Sequence, residues 1–472
     1  MDRYDLAVIG SGPGGYRAAV LGALQGLRVV IVERGTWGGC CLNRGCVPKR
    51  AWYEAARTID LARDGATRGI TGHVSGDLAA AWRHQRAIVD RTREGYVDYL
   101  ARLGVARVEG AARFLDRGTL AVGATGRIVA GHVIVATGSQ PVVPRLLPRD
   151  GVRVLTTDDL FDAPPPAGRR VAVLGSGAVA TELAYSLTLL GREVAWISRA
   201  APLASGRFSL SARRVLEAAF DRVPVARRHR GRVVRAAIGA DCVRLETEDG
   251  SAIDVDWVVL GTGRVPCTDG LGLDAAEIEV DAEGFIPADA MRRSAVAGIH
   301  AIGDVSRREM TSNHALADAA VAIADLLGTT RDELPQDAVP ECIYAACELA
   351  RAGAGEEEAE DAGREVATGF AAFESNPAAL AAGRGAGFVR LVADADTGVL
   401  LGAEIAGDRA ADLVALVAPR IGRADALSTL SADPCVHPSH GEELRNAAET
   451  LASRWGLGAA VFGRAVDGTR PE

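Results

Sequence analysis

At 472 residues the chain is too long for one hydrophobic core, so three or four packed domains are expected. Apolar residues at 48% allow a large core, and a net charge of -8 without any long basic run argues against nucleic acid or an anionic membrane as partner. No stretch approaches the roughly 18 to 20 apolar residues of a membrane span; a strand pattern begins at Asp5, leaving no room for a signal peptide, and eight unevenly spaced cysteines do not make a secreted disulfide scaffold, so a cytoplasmic location is expected.

Asp5 to Ile9 reads as a buried strand that runs into Gly10-Ser-Gly12-Pro-Gly-Gly15, an Ala-rich helix, and a second strand from Arg28 to Val32 ending at Glu33. This is a βαβ unit. The first glycine makes the turn, the second lets backbone amides approach a pyrophosphate, and the third packs helix on strand, while Glu33 is placed to bind ribose hydroxyls. Next comes Cys41-Leu-Asn-Arg-Gly-Cys46, whose four intervening residues, Gly45 among them, let the two cysteines close a small disulfide loop. A nearby cation or helix N-terminus would favour the reactive thiolate. A zinc half-site is the alternative, although no second Cys/His pair completes four ligands. Cys40 is poorly placed to pair with Cys41 and reads as a bystander.

Residues from about 77 to 102 read as a long polar helix, Arg127 to Thr137 as strands leading into Ala136-Thr137-Gly138, and Pro164 to Pro166 as the linker at a domain boundary. The βαβ pattern then recurs, with a strand from Val171 to Leu174, the loop Gly175-Ser-Gly177-Ala-Val-Ala180, a helix from about Thr181 to Leu190 and a strand from Glu193 to Ile197. A mere tight turn explains one such unit and poorly explains two. Where the first unit has Glu33 the second has Ser198, followed at once by Arg199. A carboxylate there would repel a 2′-phosphate whereas an arginine can pair with it, which opens this site to NADPH; the alternative is that Arg199 is an ordinary exposed charge.

Two further strand-turn signatures follow, Gly261-Thr-Gly263-Arg264-Val-Pro266 and Ile299-His-Ala-Ile-Gly303-Asp304. From Val339 onward, strand-like runs such as Phe388 to Val392 and Val399 to Ile405 mix with helical stretches and no Gly-rich phosphate loop, as in a separate α+β domain. Near the end, His437-Pro438-Ser439-His440-Gly441-Glu442 suits a transition into a helix that aims His437 outward and lets Glu442 orient its imidazole as a general base toward a thiol. Lone histidines are more often structural, and His440 reads as an exposed surface residue. Cys242, Cys267, Cys342, Cys347 and Cys435 read as buried small hydrophobes. The fold class is α/β, with two Rossmann-like three-layer dinucleotide-binding domains and a C-terminal α+β domain, divided as 1–150, 151–270, 271–338 and 339–472.

Taken in order, Gly10 to Gly15, Gly38 to Pro48, Ala136-Thr137-Gly138, Gly175 to Glu182, Gly263 to Pro266, Gly303-Asp304 and His437 to Glu442 resemble the class I pyridine nucleotide-disulfide oxidoreductases, the family of dihydrolipoamide dehydrogenase, glutathione reductase and mercuric reductase. The resemblance implies an FAD domain in 1–150 completed by 271–338, an NAD or NADP domain in 151–270, and a C-terminal domain that assembles a homodimer. It implies that Cys46 is the flavin-proximal sulfur and Cys41 the sulfur that exchanges with substrate. By the same token Gly10, Gly12, Gly15, Glu33, Thr137, Gly138 and Asp304 hold FAD, and Gly175, Gly177, Ala180, Glu182, Arg199 and Gly263 belong to the nucleotide side. His437 and Glu442 would serve the other subunit.

Relatives usually carry a lysine four residues after the second cysteine, paired with a glutamate at the position of Glu182; Arg50 stands at that place here. Gly12-Pro-Gly-Gly-Tyr16 and Cys41-Leu-Asn43 resemble dihydrolipoamide dehydrogenase, whereas Val47-Pro-Lys49, Ala180 and Arg199 are more similar to glutathione reductase. The implied function is electron transfer between a dithiol, free or protein-bound such as a lipoyl group, and NAD or NADP. An NADPH-dependent reductase of a small disulfide is one alternative, and a flavin-binding protein with a structural or regulatory disulfide is another.

Overall fold

In the computed structural model, which describes residues 3–124, 126–229, 231–329 and 338–454, the first βαβ unit is built from β1 (Arg3–Ile9), α1 (Pro13–Leu24) and β2 (Val29–Glu33). Pro13 occupies the first turn of α1, where its missing N–H costs nothing. The buried face of α1 is Gly14, Gly15, Ala18, Ala19 and Gly22. These small residues let the helix lie close to its neighbours.

The segment that carries Cys41 and Cys46 follows as two short-spaced helices, α2 (Gly39–Arg44) and α3 (Cys46–Arg63), and then α4 (Leu78–Arg102). Asp77 starts α4 by accepting from the amides of Ala79 and Ala80, which is why the polar run reads as a helix from that point. Strands β3 (Ala106–Glu109), β4 (Ala112–Phe114), β5 (Thr119–Val122) and β6 (Gly126–Val135) complete most of the first sheet, in the order β3-β2-β1-β6-β5-β4. β7 (Ser139–Pro141) leaves it.

The second sheet starts before the prolines. β8 (Val154–Thr156) and α5 (Thr157–Asp162) precede Pro164 to Pro166, and the order is β11-β10-β9-β15-β8, with β9 (Arg170–Leu174), α6 (Ala178–Leu189), β10 (Glu193–Ser198), α7 (Leu210–Phe220), β11 (Ala226–His229) and β15 (Trp257–Leu260). The proline stretch is therefore a connection within this part of the fold and not the linker expected from composition. Its prolines end α5 and hand the chain across to the central strand. Between β11 and β15 lies an antiparallel sheet of β12 (Val233–Ile238), β13 (Val243–Thr247) and β14 (Ala252–Val255), and β16 (Arg264–Pro266) pairs antiparallel with β7. β17 (Ile299–Ala301) then returns to pair parallel with the end of β6, and α8 (Ser312–Leu326) packs on α1, where a Cβ on Gly14 would sit 3.1 Å from the carbonyl oxygen of Ala315.

Apart from α7 and the later part of α3, these segments form one compact unit that takes the chain up to Ala56, Ser75–Arg199 and the residues from Ala226 to 329. A second unit takes Arg57–Val74, Ala200–Val225 and the residues from 338 on. Its antiparallel sheet runs β18-β19-β22-β21-β20, from β18 (Glu341–Tyr344), β19 (Glu348–Gly353), β20 (Val366–Ala372), β21 (Phe388–Asp394) and β22 (Leu400–Ala406). The short helices α9 (Glu356–Asp361) and α10 (Pro377–Ala381) interrupt it, and α11 (Ala410–Val417), α12 (Ala426–Ala432) and α13 (Glu442–Arg454) follow it. Leu391, Ile405, Val414, Leu427 and Leu451 lie in the core they share. No helix among the described residues is long and apolar enough to cross a membrane.

α13 lies across β20 at Gly369, where a Cβ would stand 2.2 Å from the carbonyl oxygen of Ala447. Gly369→Ala must therefore push α13 outward, and it should cost about 2 kcal/mol. Thermal melting of the purified variant checks this, and an unchanged melting temperature would show that the helix has slack.

Candidate active site

The loop after β1 turns at Gly10, whose φ is +101° and whose hypothetical Cβ would meet the carbonyl oxygen of Ala136 at 2.4 Å. Only glycine fits there. A Cβ on Gly39 would meet Cα of Gly12 at 2.5 Å, so the start of the segment that carries Cys41 and Cys46 lies directly on the glycine loop. Glu33 caps the arrangement: its carboxylate accepts from the Ser11 amide at 2.9 Å, the Ser11 hydroxyl at 2.6 Å and the Gly35 amide at 2.8 Å, while remaining at the wall of the site.

Behind this loop is a cavity of about 560 Å³. Gly10, Gly12 and Glu33 line it together with Cys41 and Cys46, and Thr137, Gly138 and Asp304 also reach it. The Thr137 hydroxyl donates to the Cys267 carbonyl at 2.7 Å, and the Ser139 hydroxyl donates to Asp304 Oδ2 at 2.5 Å. Arg264 in turn holds Ser139, giving Nε to its hydroxyl and Nη2 to its carbonyl, both at 2.8 Å. A long cofactor with a pyrophosphate fits this shape: amides without side chains at the helix N-terminus, a buried acid beyond them, and a sulfur pair along the same cavity. FAD meets that description.

Cys41 lies within α2, Cys46 is the first residue of α3, and here the two are free thiols. A helix N-terminus carries partial positive charge that favours a thiolate. The Ser312 hydroxyl stands 3.1 Å from Cys46 Sγ, and Lys49 lies one turn further along α3. The Cys41 S–H, then Lys49 and Ser312, hold Cys46 down to about 6 against the opposing effect of burial. Cys41, donating that hydrogen bond and buried, is pushed well up. The pair is polarised, with the negative charge on Cys46. Burial pushes the adjacent Cys40 thiol up to about 11, and it too lines the cavity.

The cation beside Glu182 is Lys49, with Nζ 2.5 Å from Oε2, and not Arg50. Arg50 forms an i,i+4 ion pair with Glu54 at 2.7 Å and lies over the ring of Tyr53. Positions 49 and 50 stand three and four residues after Cys46, so both lie on its side of α3 and helical phase leaves either open; the contact with Glu182 goes to Lys49, while Arg50 pairs along the helix with Glu54. Ser312, Arg264 and Tyr96 were likewise not singled out from sequence. Tyr96, on α4, stacks on Tyr16 with ring centroids 4.2 Å apart, and burial, then the charges of Cys41 and Cys46, push its hydroxyl up. For Lys49 the likeness of Val47-Pro-Lys49 to glutathione reductase was an available signal; for Ser312, far away in the chain, there was none.

The second glycine loop repeats the geometry of the first. Gly175 has φ +130° and its Cβ would meet the carbonyl oxygen of Gly261 at 2.1 Å, Gly177 caps α6, and buried Ala180 packs beneath. Gly263 has φ +107°. At the end of β10 the Ser198 hydroxyl meets His229 Nδ1 at 2.8 Å, and Arg199 next to it is exposed.

In the second unit, His437 Nδ1 lies 2.9 Å from Glu442 Oε1, and the imidazole is 75% exposed. The Ser439 amide donates to the other Glu442 oxygen at 2.9 Å. These hydrogen bonds hold the Glu442 carboxyl below its usual range. His440 is not a surface residue: its side chain is 15% exposed, with Nε2 3.6 Å from Asp408 and its ring 5.8 Å from that of Phe373. The turn that throws His437 outward folds His440 inward. Of the five cysteines expected to be buried, Cys267 is, whereas Cys242, Cys342, Cys347 and Cys435 are partly exposed. Cysteine is small enough to sit at sheet and loop margins as well as in a core.

A family model described as pyridine nucleotide-disulphide oxidoreductase matches residues 4–323, and that of the dimerisation domain of the same group matches residues 339–448. The chain is 34% identical over 460 residues to a dihydrolipoyl dehydrogenase of Chlorobaculum tepidum, covering 94% of this chain and 96% of that one. It is 33% identical over 471 residues to a dihydrolipoyl dehydrogenase of Thermus scotoductus, with 96% and 98% covered. Among solved structures, LpdA from Mycobacterium tuberculosis superimposes with a TM-score of 0.88 at 22% identity, covering 96% of this chain and 100% of that one.

Because the Cys46 thiol is held down, its charged form persists above a pH of about 6 and is lost as the pH falls through that value. In reduced, flavin-free protein, alkylation of Cys46 followed by mass spectrometry should show a midpoint there, and Lys49→Met should move it upward. A wild-type midpoint at the free-thiol value of about 8.5 would contradict this polarisation.

Proposed function

Since the chain belongs to the pyridine nucleotide-disulphide oxidoreductases, and is thus an FAD-dependent, pyridine nucleotide-linked enzyme, we propose that it oxidises a dithiol of the dihydrolipoyl type through Cys41 and Cys46. The observation that carries this reading is the cavity that has the glycine loop and both cysteines in its wall, with the charge of the pair biased onto Cys46.

One substrate thiol attacks Cys41 Sγ in the disulfide form, making a substrate–Cys41 bond and releasing Cys46 as the thiolate that α3, Lys49 and Ser312 favour. The second substrate thiol then displaces Cys41, closing the substrate disulfide. His437, oriented by Glu442, takes the proton of the first attacking thiol, hands it to Cys41 as that sulfur departs, and takes the proton of the second; by the family resemblance it does so in the opposing subunit of a homodimer. FAD, when bound, supplies the two-electron step between the Cys46 thiolate and NAD(P)+. Dithiol and NAD(P)+ become disulfide, NAD(P)H and a proton.

Gly10, Gly12, Gly15, Glu33, Thr137, Gly138 and Asp304 would hold FAD, in a domain made of 1–150 and 271–338. Gly175, Gly177, Ala180 and Gly263 would receive the nucleotide. Lys49, paired with Glu182, takes the place at the flavin that sequence comparison gave to Arg50. A cytoplasmic setting accords with cysteines used for catalysis and not as a scaffold.

Arg199 supports a second reading. An exposed guanidinium in place of the ribose-binding acid favours NADP, and with it an enzyme that reduces a small disulfide.

Purified protein given dihydrolipoamide should reduce NAD+ or NADP+ rapidly, and Cys46→Ser should retain FAD while losing at least about 100-fold in that turnover. No turnover with either nucleotide, together with NADPH-driven reduction of another disulfide, would favour the second reading. Retained turnover in Cys46→Ser would sink the mechanism.

A further inference from the structure

The His437 side chain is mostly exposed and bonded to Glu442, so its position is only as good as that of the turn that carries it. That turn is held by Ser439, whose amide donates to Glu442 and whose carbonyl points the other way, to Asn376. Asn376 is 1% exposed and its amide is fully used. Its Oδ1 accepts from the Ala379 amide at 2.9 Å and caps α10, while its Nδ2 donates to the Ser439 carbonyl and to Glu443 Oε1, both at 2.9 Å. Glu443, also buried, accepts from Asn446 Nδ2 at 2.9 Å through its other oxygen. One side chain thus grips both the turn and the first residues of α13, between which the His437–Glu442 hydrogen bond is strung.

We propose that Asn376 is a positioning residue for the thiol step, setting the aim of His437 by fixing Ser439 and Glu443 relative to each other. The inference rests on His437 acting as the base in the function proposed above. An amide is required because the same side chain must accept on one side and donate twice on the other. Serine or aspartate satisfies the cap alone, since each accepts from the Ala379 amide as a good N-cap residue does, and neither donates to Ser439 and Glu443 together. The charged and titratable neighbours of the turn are Glu442, Glu443 and Arg445 on α13, and His440 with Asp408 and Arg57 on its other side. None supplies a donor equivalent to Asn376 in the contacts described.

The experiment compares the two half-reactions of the FAD-loaded protein by stopped flow under anaerobic conditions, in wild type, Asn376→Ser, Asn376→Asp and His437→Ala, with dihydrolipoamide as the dithiol. Flavin reduction by the dithiol should slow about tenfold in both Asn376 variants, as expected when a reacting group is misplaced by a fraction of an ångström, with the half-saturating dithiol concentration unchanged. Flavin reduction by NADH or NADPH should stay at the wild-type rate, while the melting temperature falls by a few degrees because two buried hydrogen bonds are lost. If His437→Ala is slow and both Asn376 variants are as fast as wild type, the inference is overturned and the function stands. If His437→Ala is itself fast, the function's base assignment fails and the inference with it. Loss of both half-reactions in the Asn376 variants would reduce the residue to a structural cap and overturn the proposal.

Discussion

Lys49 and Glu182 face each other at 2.5 Å with both side chains largely out of water, and neither charge is tolerable there without the other. Removing one partner of such a pair typically costs about 3 to 5 kcal/mol, because the other stays behind as an isolated buried charge. The two residues come from opposite halves of the first unit. Lys49 belongs to the helix that begins with Cys46, and Glu182 to the helix that begins at the second glycine loop. Their contact therefore fixes Cys46 relative to the second glycine loop, and it leaves a positive charge one turn from Cys46. Placement and electrostatics have the same source.

The parts of this arrangement that sequence reading captured are those whose physics is local. The strands before Gly10 and Gly175, the helices after them, and the acid at Glu33 are dictated by periodicity and by turns that admit no side chain. The Cys41–Cys46 spacing and the His437–Glu442 spacing belong to the same class, since both partners lie within one or two turns of chain. What escaped was set by tertiary contact. Ser312 reaches Cys46 from a helix far along the chain, and Arg264 reaches Ser139 through a pair of short strands. Nothing near Ser312 marks it as a polar group of a site, and the motif Gly263 to Pro266 marks its segment without telling that the Arg264 side chain reaches Ser139.

The misreadings also have local causes. Pro164 to Pro166 carry the composition of a linker, but a strand paired with β15 lies before them, and pairing over that distance leaves no trace in composition. Arg50 was favoured by counting residues from Cys46, but a helix brings the third and the fourth residue to the same side, and only the tertiary contact with Glu182 decides between them. His440 was taken for a surface group because polar residues around it are exposed, yet a turn places successive side chains on opposite sides, and Phe373 and Asp408 wait on the inner one.

The first sheet is closed by β17, which pairs with β6 although the whole of the second sheet and the three-stranded insertion lie between them in the chain. During synthesis the ribosome must therefore deliver Ile299–Ala301, and Asp304 just after them, before the cradle around Gly10 is complete. The second βαβ region, whose strands are all made by then, can fold while the first still lacks an edge. A nascent chain stalled before this point holds Cys41 and Cys46 without the Ser312 hydroxyl that stands beside Cys46, so the pair reaches its final surroundings late in translation.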